Sequence, residues 1–298
     1  MRAWFAAIAL LLCSTIAACG SGSEQACAKD TDCASGFCKA DGTCGPAETD
    51  AGAGDDGTTD GQTAVCVPNH DGVITLAELP FAAGRMGKFR IATNATWDTS
   101  GVAMMGGARR WDLSGALAND QDRDLALAAP SGTWWAPTFP NATYSTQLVS
   151  SSDLRGVFQL GSTNLNLLGV VSPDGGTYKT ELEYDAPAQI LEVPLQAGAT
   201  WSSSSTVSGY AQGAIVAYAE AYDSRVDRFG TMVTPYGEFP VLRVVTDLTR
   251  TAGFTTLATK RTFTWVAECF GPVATASSQD FETDDEFTDI AEVRRLAP

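Results

Sequence analysis

From Phe81 to Pro298 the apolar residues recur at every second position in short runs. The runs are cut by Gly, Pro, Asn and Asp, and few windows carry the period of a helix. This pattern confines the body to an all-β fold, and many short strands of this kind suit a β-sandwich or a partly open barrel. The clearest run is Thr177 to Tyr184, where Tyr178, Thr180, Leu182 and Tyr184 should point one way while Lys179, Glu181 and Glu183 face water. Asn166 to Val171 reads as its partner, with Ser172-Pro173-Asp174-Gly175-Gly176 as the hairpin connection. Further strands are expected at Ile190 to Leu195, Ala214 to Tyr222, Gly230 to Thr234, Phe239 to Asp247, Lys260 to Cys269 and Phe287 to Leu296. Ala214 to Tyr222 also admits a helix. Thr234-Pro235-Tyr236-Gly237 reads as a tight turn, since Pro fixes φ and Gly relieves the exit. With 44% hydrophobic residues, seven Trp and 29 Gly, the chain can bury a core and still turn often.

The first 65 residues read differently. Residues 1–18 carry Arg2, an apolar run from Ala3 to Leu12 and then Ile16-Ala17-Ala18 before Cys19. The run is too short to span a bilayer and has the layout of a cleaved export signal. IAAC followed by Gly20 and Ser21 resembles the lipobox of bacterial lipoproteins, which implies acylation of Cys19 as the mature N-terminus. The residues after Cys19 resemble the pattern sent to the outer membrane. The alternative is plain cleavage with an unmodified Cys19. Of eight cysteines, Cys13 leaves with the signal, so acylation of Cys19 leaves six, a number that can pair completely.

After a spacer over 19–26, Cys27, Cys33, Cys38 and Cys44 form a coreless segment that two disulfides could hold. Its spacing resembles small Cys-rich modules of secreted proteins, including Dickkopf-like ones. Of the three connectivities we take Cys27 with Cys38 and Cys33 with Cys44. A zinc site is the competing reading, but no C-x2-C pair is present. Residues 45–65 carry Glu48, Asp50, Asp55, Asp56 and Asp60 without Lys or Arg, the composition of an extended acidic linker.

The body is entered at CVPNHDGVITLAEL, Cys66 to Leu79, which resembles a degenerate EF-hand or dockerin-type half-loop over 67–78. The resemblance implies calcium ligands at Asn69, Asp71, the Val73 carbonyl and Glu78, with Gly72 at the turn. Val67 stands where the pattern has Asp, so any calcium should bind weakly. The same residues also read as a simple turn followed by a capping box, Thr75 with Glu78, opening a short helix that Pro80 stops. Cys66 and Cys269 remain once the small module is paired, and a bond between them would clamp the loop onto the body.

His70 is the only histidine, and no G-x-S-x-G elbow is present, so nucleophilic hydrolase chemistry is not expected. Glu282, Asp284 and Glu286 would share one face if their stretch were a strand. The E-x-D-x-E spacing resembles the catalytic strand of laminarinase-like glycoside hydrolases and makes Glu282 and Glu286 a candidate acid and nucleophile pair. Trp134-Trp135 is a candidate sugar-stacking pair, with at most one ring exposed and the other in the core. A formal charge of −16 argues against nucleic acid and anionic surfaces. The sequence therefore points to a lipid-anchored surface protein with a binding or structural role, its partner a glycan or a protein. A polysaccharide hydrolase is the alternative.

Overall fold

The computed structural model describes residues 66–298; the signal, Cys19, the Cys27–Cys44 module and the acidic linker lie outside the described residues. The period-two runs form strands. In chain order these are β1 (Val73–Ile74), β2 (Met86–Thr96), β3 (Val102–Ala103), β4 (Arg109–Asp112), β5 (Gln121–Ala126), β6 (Tyr144–Gln147), β7 (Arg155–Leu160) and β8 (Asn164–Val171). They continue with β9 (Glu181–Glu192), β10 (Leu195–Gln196), β11 (Thr200–Ala211), β12 (Ala214–Val233), β13 (Glu238–Ala252), β14 (Thr255–Ala267), β15 (Gly271–Ser278) and β16 (Asp289–Leu296).

Twelve of these pair edge to edge in the order β5-β2-β16-β15-β14-β13-β12-β11-β9-β8-β7-β6, each neighbour antiparallel. The two ends of that path meet at one bridge. Ala128, just past β5, exchanges backbone hydrogen bonds of 2.8 and 2.9 Å with Ser145 of β6. The sheet is thus a nearly closed barrel, the second of the two expected architectures.

Packing identifies the lumen. Strands β6–β8 lie about half-way round the path from β12–β14, yet Tyr144, Phe158 and Leu165 share one apolar cluster with Val226, Leu242 and Val266. Only an enclosed face brings such distant strands together. Ile74, Leu79 and Phe81 join that cluster, so the segment leading into β2 plugs the lumen, with β1 paired to β10.

The outer face of β13–β16 is covered as well. There β4 pairs in parallel with the last residues of β12, Gly230 to Val233, and lays Trp111 and Leu113 over Phe263, Trp265 and Val245. Gly230 permits this, because a Cβ there would stand 1.8 Å from the Arg109 carbonyl oxygen. Trp97 and Trp111 both meet Trp265 edge-on, at 5.8 and 5.7 Å between ring centroids.

Some expectations need revision. Thr177 to Thr180 lie in the β8–β9 connection, and Tyr178 is 82% exposed; the strand begins at Glu181 and continues to Glu192. Two bonds widen that connection, from the Ser172 N–H to the Thr180 carbonyl (2.9 Å) and from the Thr180 N–H to Ser172 Oγ (3.0 Å). Ala214 to Tyr222 is strand as expected, but it is not separate from the run at Gly230: both belong to the 20-residue β12, with a bulge at Val226/Arg228 instead of a turn.

Candidate functional site

The first candidate is the loop at Cys66. Cys66 is bonded to Cys269, and the Cys269 N–H reaches the Glu78 carbonyl at 2.8 Å, so both ends of the loop are tied to the β14–β15 turn. Inside it, Asn69 Oδ1 accepts from the Asp71 N–H (3.0 Å) and Asp71 Oδ1 from the Val73 N–H (2.8 Å), two successive side-chain-closed turns. His70 sits at a φ of 55°, and its N–H reaches Glu268 Oε2 at 2.9 Å.

The side chains of the candidate calcium ligands already have partners within the loop. Glu78 is buried, and its Oε2 accepts from both the N–H and the hydroxyl of Thr75, each at 2.7 Å. This is the capping box of a one-turn helix, Leu76–Glu78. Asn69 and Asp71 bond to one another and to their own backbone. Among the described residues no group of three or more His, Cys, Asp or Glu side chains is placed to hold a metal ion. The capping box expected of Thr75 and Glu78 is formed.

What the tied loop does create is a cleft. It has a volume of about 450 Å³ and runs between Pro68 and His70 on one side and Tyr236, Phe239, Glu268 and Phe270 on the other. The three rings form one cluster: Phe239 meets Phe270 edge-on at 4.8 Å, and Tyr236 lies 6.1 Å from each. Phe239 is buried, whereas Tyr236 and Phe270 are 53% and 42% exposed. Turn chemistry places them. Thr234 and Gly237 close the β12–β13 turn through bonds of 2.8 and 3.2 Å, and the Tyr236 N–H is held by Thr234 Oγ1 at 3.2 Å. Beside the rings, Glu238 takes a two-pronged bond from Arg110 (2.7 and 3.1 Å), and that bond holds its carboxyl below the ordinary range. The rim is thus acidic and the wall aromatic.

The acidic stretch at 282–286 is a loop, not a strand. Glu282 accepts the N–H groups of Thr283 and Asp284, both at 2.8 Å. Glu286 is bonded to the buried Arg243 at 2.6 and 2.9 Å and takes the Thr99 hydroxyl at 3.1 Å. The next residue, Phe287, stacks on Phe263 at 5.2 Å, so the stretch straps the outer cluster in place. Glu282 and Glu286 thus have separate partners. Trp135 is buried against Phe139, and Trp134 is partly exposed with its indole N–H on the Ser172 carbonyl at 3.2 Å.

No family model matches the chain, and neither the curated proteins nor the solved structures give a significant match. The functional reading therefore stands on these residues.

Proposed function

We propose that this is a lipid-anchored protein of the bacterial cell envelope whose barrel binds a partner protein in the cleft walled by Tyr236, Phe270 and His70. One observation carries the binding reading: two large aromatic rings stand exposed in a cleft whose other wall is bolted down by the Cys66–Cys269 bond. Exposed, rigidly mounted aromatics are the usual anchors of recognition, because they bury much area at little entropic cost. Glu268 beside them and the charge of −16 favour a segment with an apolar anchor next to basic residues. The anchor reading rests on the lipobox-like IAAC and the even count of the remaining cysteines.

Calcium belongs to this reading only as a weak ligand of the 67–78 loop, for which Glu78 would have to leave Thr75 and turn toward Asp71. Hydrolysis by Glu282 and Glu286 has no part in it, since both are occupied structurally.

The test is a peptide-library selection on the full-length protein. Enriched peptides pairing an aromatic or aliphatic residue with Lys or Arg are expected, with affinity falling about tenfold in Tyr236→Ala and in Phe270→Ala. Enriched peptides that ignore both substitutions would remove the cleft from the proposal. Mass spectrometry of the processed N-terminus decides the anchor separately, an unmodified Cys19 overturning it.

A further inference from the structure

A second cleft lies between three connections of the barrel: β6–β7, β8–β9 and β11–β12. It has a volume of about 400 Å³, within the range of small-ligand sites. Its walls are cross-bonded. The Gln212 N–H reaches Thr180 Oγ1 at 3.2 Å, the Gly213 N–H reaches the Lys179 carbonyl at 3.0 Å, and Trp134 is fixed to Ser172 as described. Gly209 allows the β11–β12 hairpin to press this close, for a Cβ there, at φ +140°, would stand 2.1 Å from the Glu181 carbonyl oxygen.

Lys179 is the one cation among the lining residues, and it is already engaged. Its ammonium lies 4.8 Å from the Trp134 ring centroid and 5.9 Å from that of Tyr210, and it is paired with Glu181. No positive charge is left to attract an anion. The cleft is also lined by Asp153, Asp174, Thr177 and Gln212, whose exposed side chains hydrogen-bond to no other group among the described residues, and by the exposed Tyr178. Unpartnered acceptors, a hydroxyl and an amide beside a bare aromatic face match a neutral, polyhydroxylated ligand. Its hydroxyls need acceptors and donors together, and its C–H face packs on a ring.

We infer that this cleft binds a saccharide, the sugar face lying on Tyr178 and its hydroxyls bonded by Asp153, Asp174 and Gln212. The site is separate from the aromatic cleft of the proposed function, and neither reading depends on the other.

Calorimetric titration of the full-length protein with maltotriose, cellotriose and chitotriose tests this. At least one sugar should bind saturably at or below roughly 10 mM, a weak lectin-like range. Tyr178→Ala and Asp174→Asn should each weaken it about tenfold. Both side chains are exposed, so thermal unfolding should stay as in the wild type and separate lost binding from lost folding. Absence of saturable binding by all three sugars overturns the inference. So does binding that persists in Tyr178→Ala, or that disappears only in Tyr236→Ala. Binding of spermidine without any sugar would show that the carboxylates take a cation, and overturns it equally.

Discussion

Arg243 shows how single residues decide this protein's chemistry. Its side chain is fully buried, stacked 4.2 Å from the Phe263 ring centroid and 5.4 Å from that of Trp111, and it is bonded to both Asp227 and Glu286. Removing the cation leaves two carboxylates in a largely dry site with only the more distant Arg228, at 3.9 and 3.5 Å, to balance them. Arg243→Ala should therefore cost about 3–5 kcal/mol in urea unfolding. Glu286→Gln should likewise lower stability, by a smaller amount. Glu292 gives a pH signature. Burial pushes its carboxyl up, but the Arg294 guanidinium and two bonds from Ser150 outweigh that and hold it below the ordinary glutamate value. A lowered folded-state pKa adds stability above the unfolded value, and that stability is lost as pH falls through the folded one. The unfolding midpoint should thus drop as the medium is acidified below about pH 4, and less steeply in Glu292→Gln. None of these partnerships was legible in the sequence. Glu286 and Arg243 stand 43 residues apart, and nothing local to E-x-D-x-E announces a buried guanidinium opposite it.

Among the elements, those with apolar alternation were the readable ones. Asn166 to Val171, Phe239 to Asp247 and Phe287 to Leu296 all fall largely within strands, because each is a short apolar-rich run; in Phe239 to Asp247 the apolar residues serve both faces, Leu242 and Val244 the lumen and Val241 and Val245 the outer cluster. β11 was missed because its run, TWSSSSTVSGYA, alternates in burial while its residues are mostly hydroxyls: Trp201, Ser205 and Val207 are buried and Ser202, Ser204 and Thr206 exposed. β15, GPVATASS, hides because its buried positions are filled mostly by small residues and not by large apolar ones. The loop at Cys66 was legible as a capped turn, yet its cleft was not, since Tyr236 and Phe270 meet only through tertiary folding. The loop carries two predictions. Thr75→Ala removes one partner of the capping box and should cost about 1 kcal/mol by chemical denaturation. The Cys66–Cys269 bond spans 203 residues of sequence. Cys269→Ser should accordingly lower unfolding free energy by about 4–5 kcal/mol in the chain-entropy description, compared under non-reducing conditions.

For the molecule as a whole, barrel closure is uneven. Most neighbouring strands share long ladders, whereas β5 and β6 meet through the single pair Ala128–Ser145. Hydrogen exchange should find the amides of Ala128 and Ser145 less protected than those of the β12–β13 ladder, because opening there breaks two bonds and leaves the other pairings intact. Equal protection in the two places would mean that the seam is held by more than its bridge. The disulfide has a different consequence. Because the sulfur partner of Cys66 sits at the β14–β15 turn, a pull reaching Cys66 from its N-terminal side is handed across a covalent bond to the base of β14 and β15. The hydrogen bonds of the 67–78 loop lie off that mechanical path, whereas Glu268 and Phe270 flank Cys269 on either side, so tension is delivered to the wall of the aromatic cleft itself.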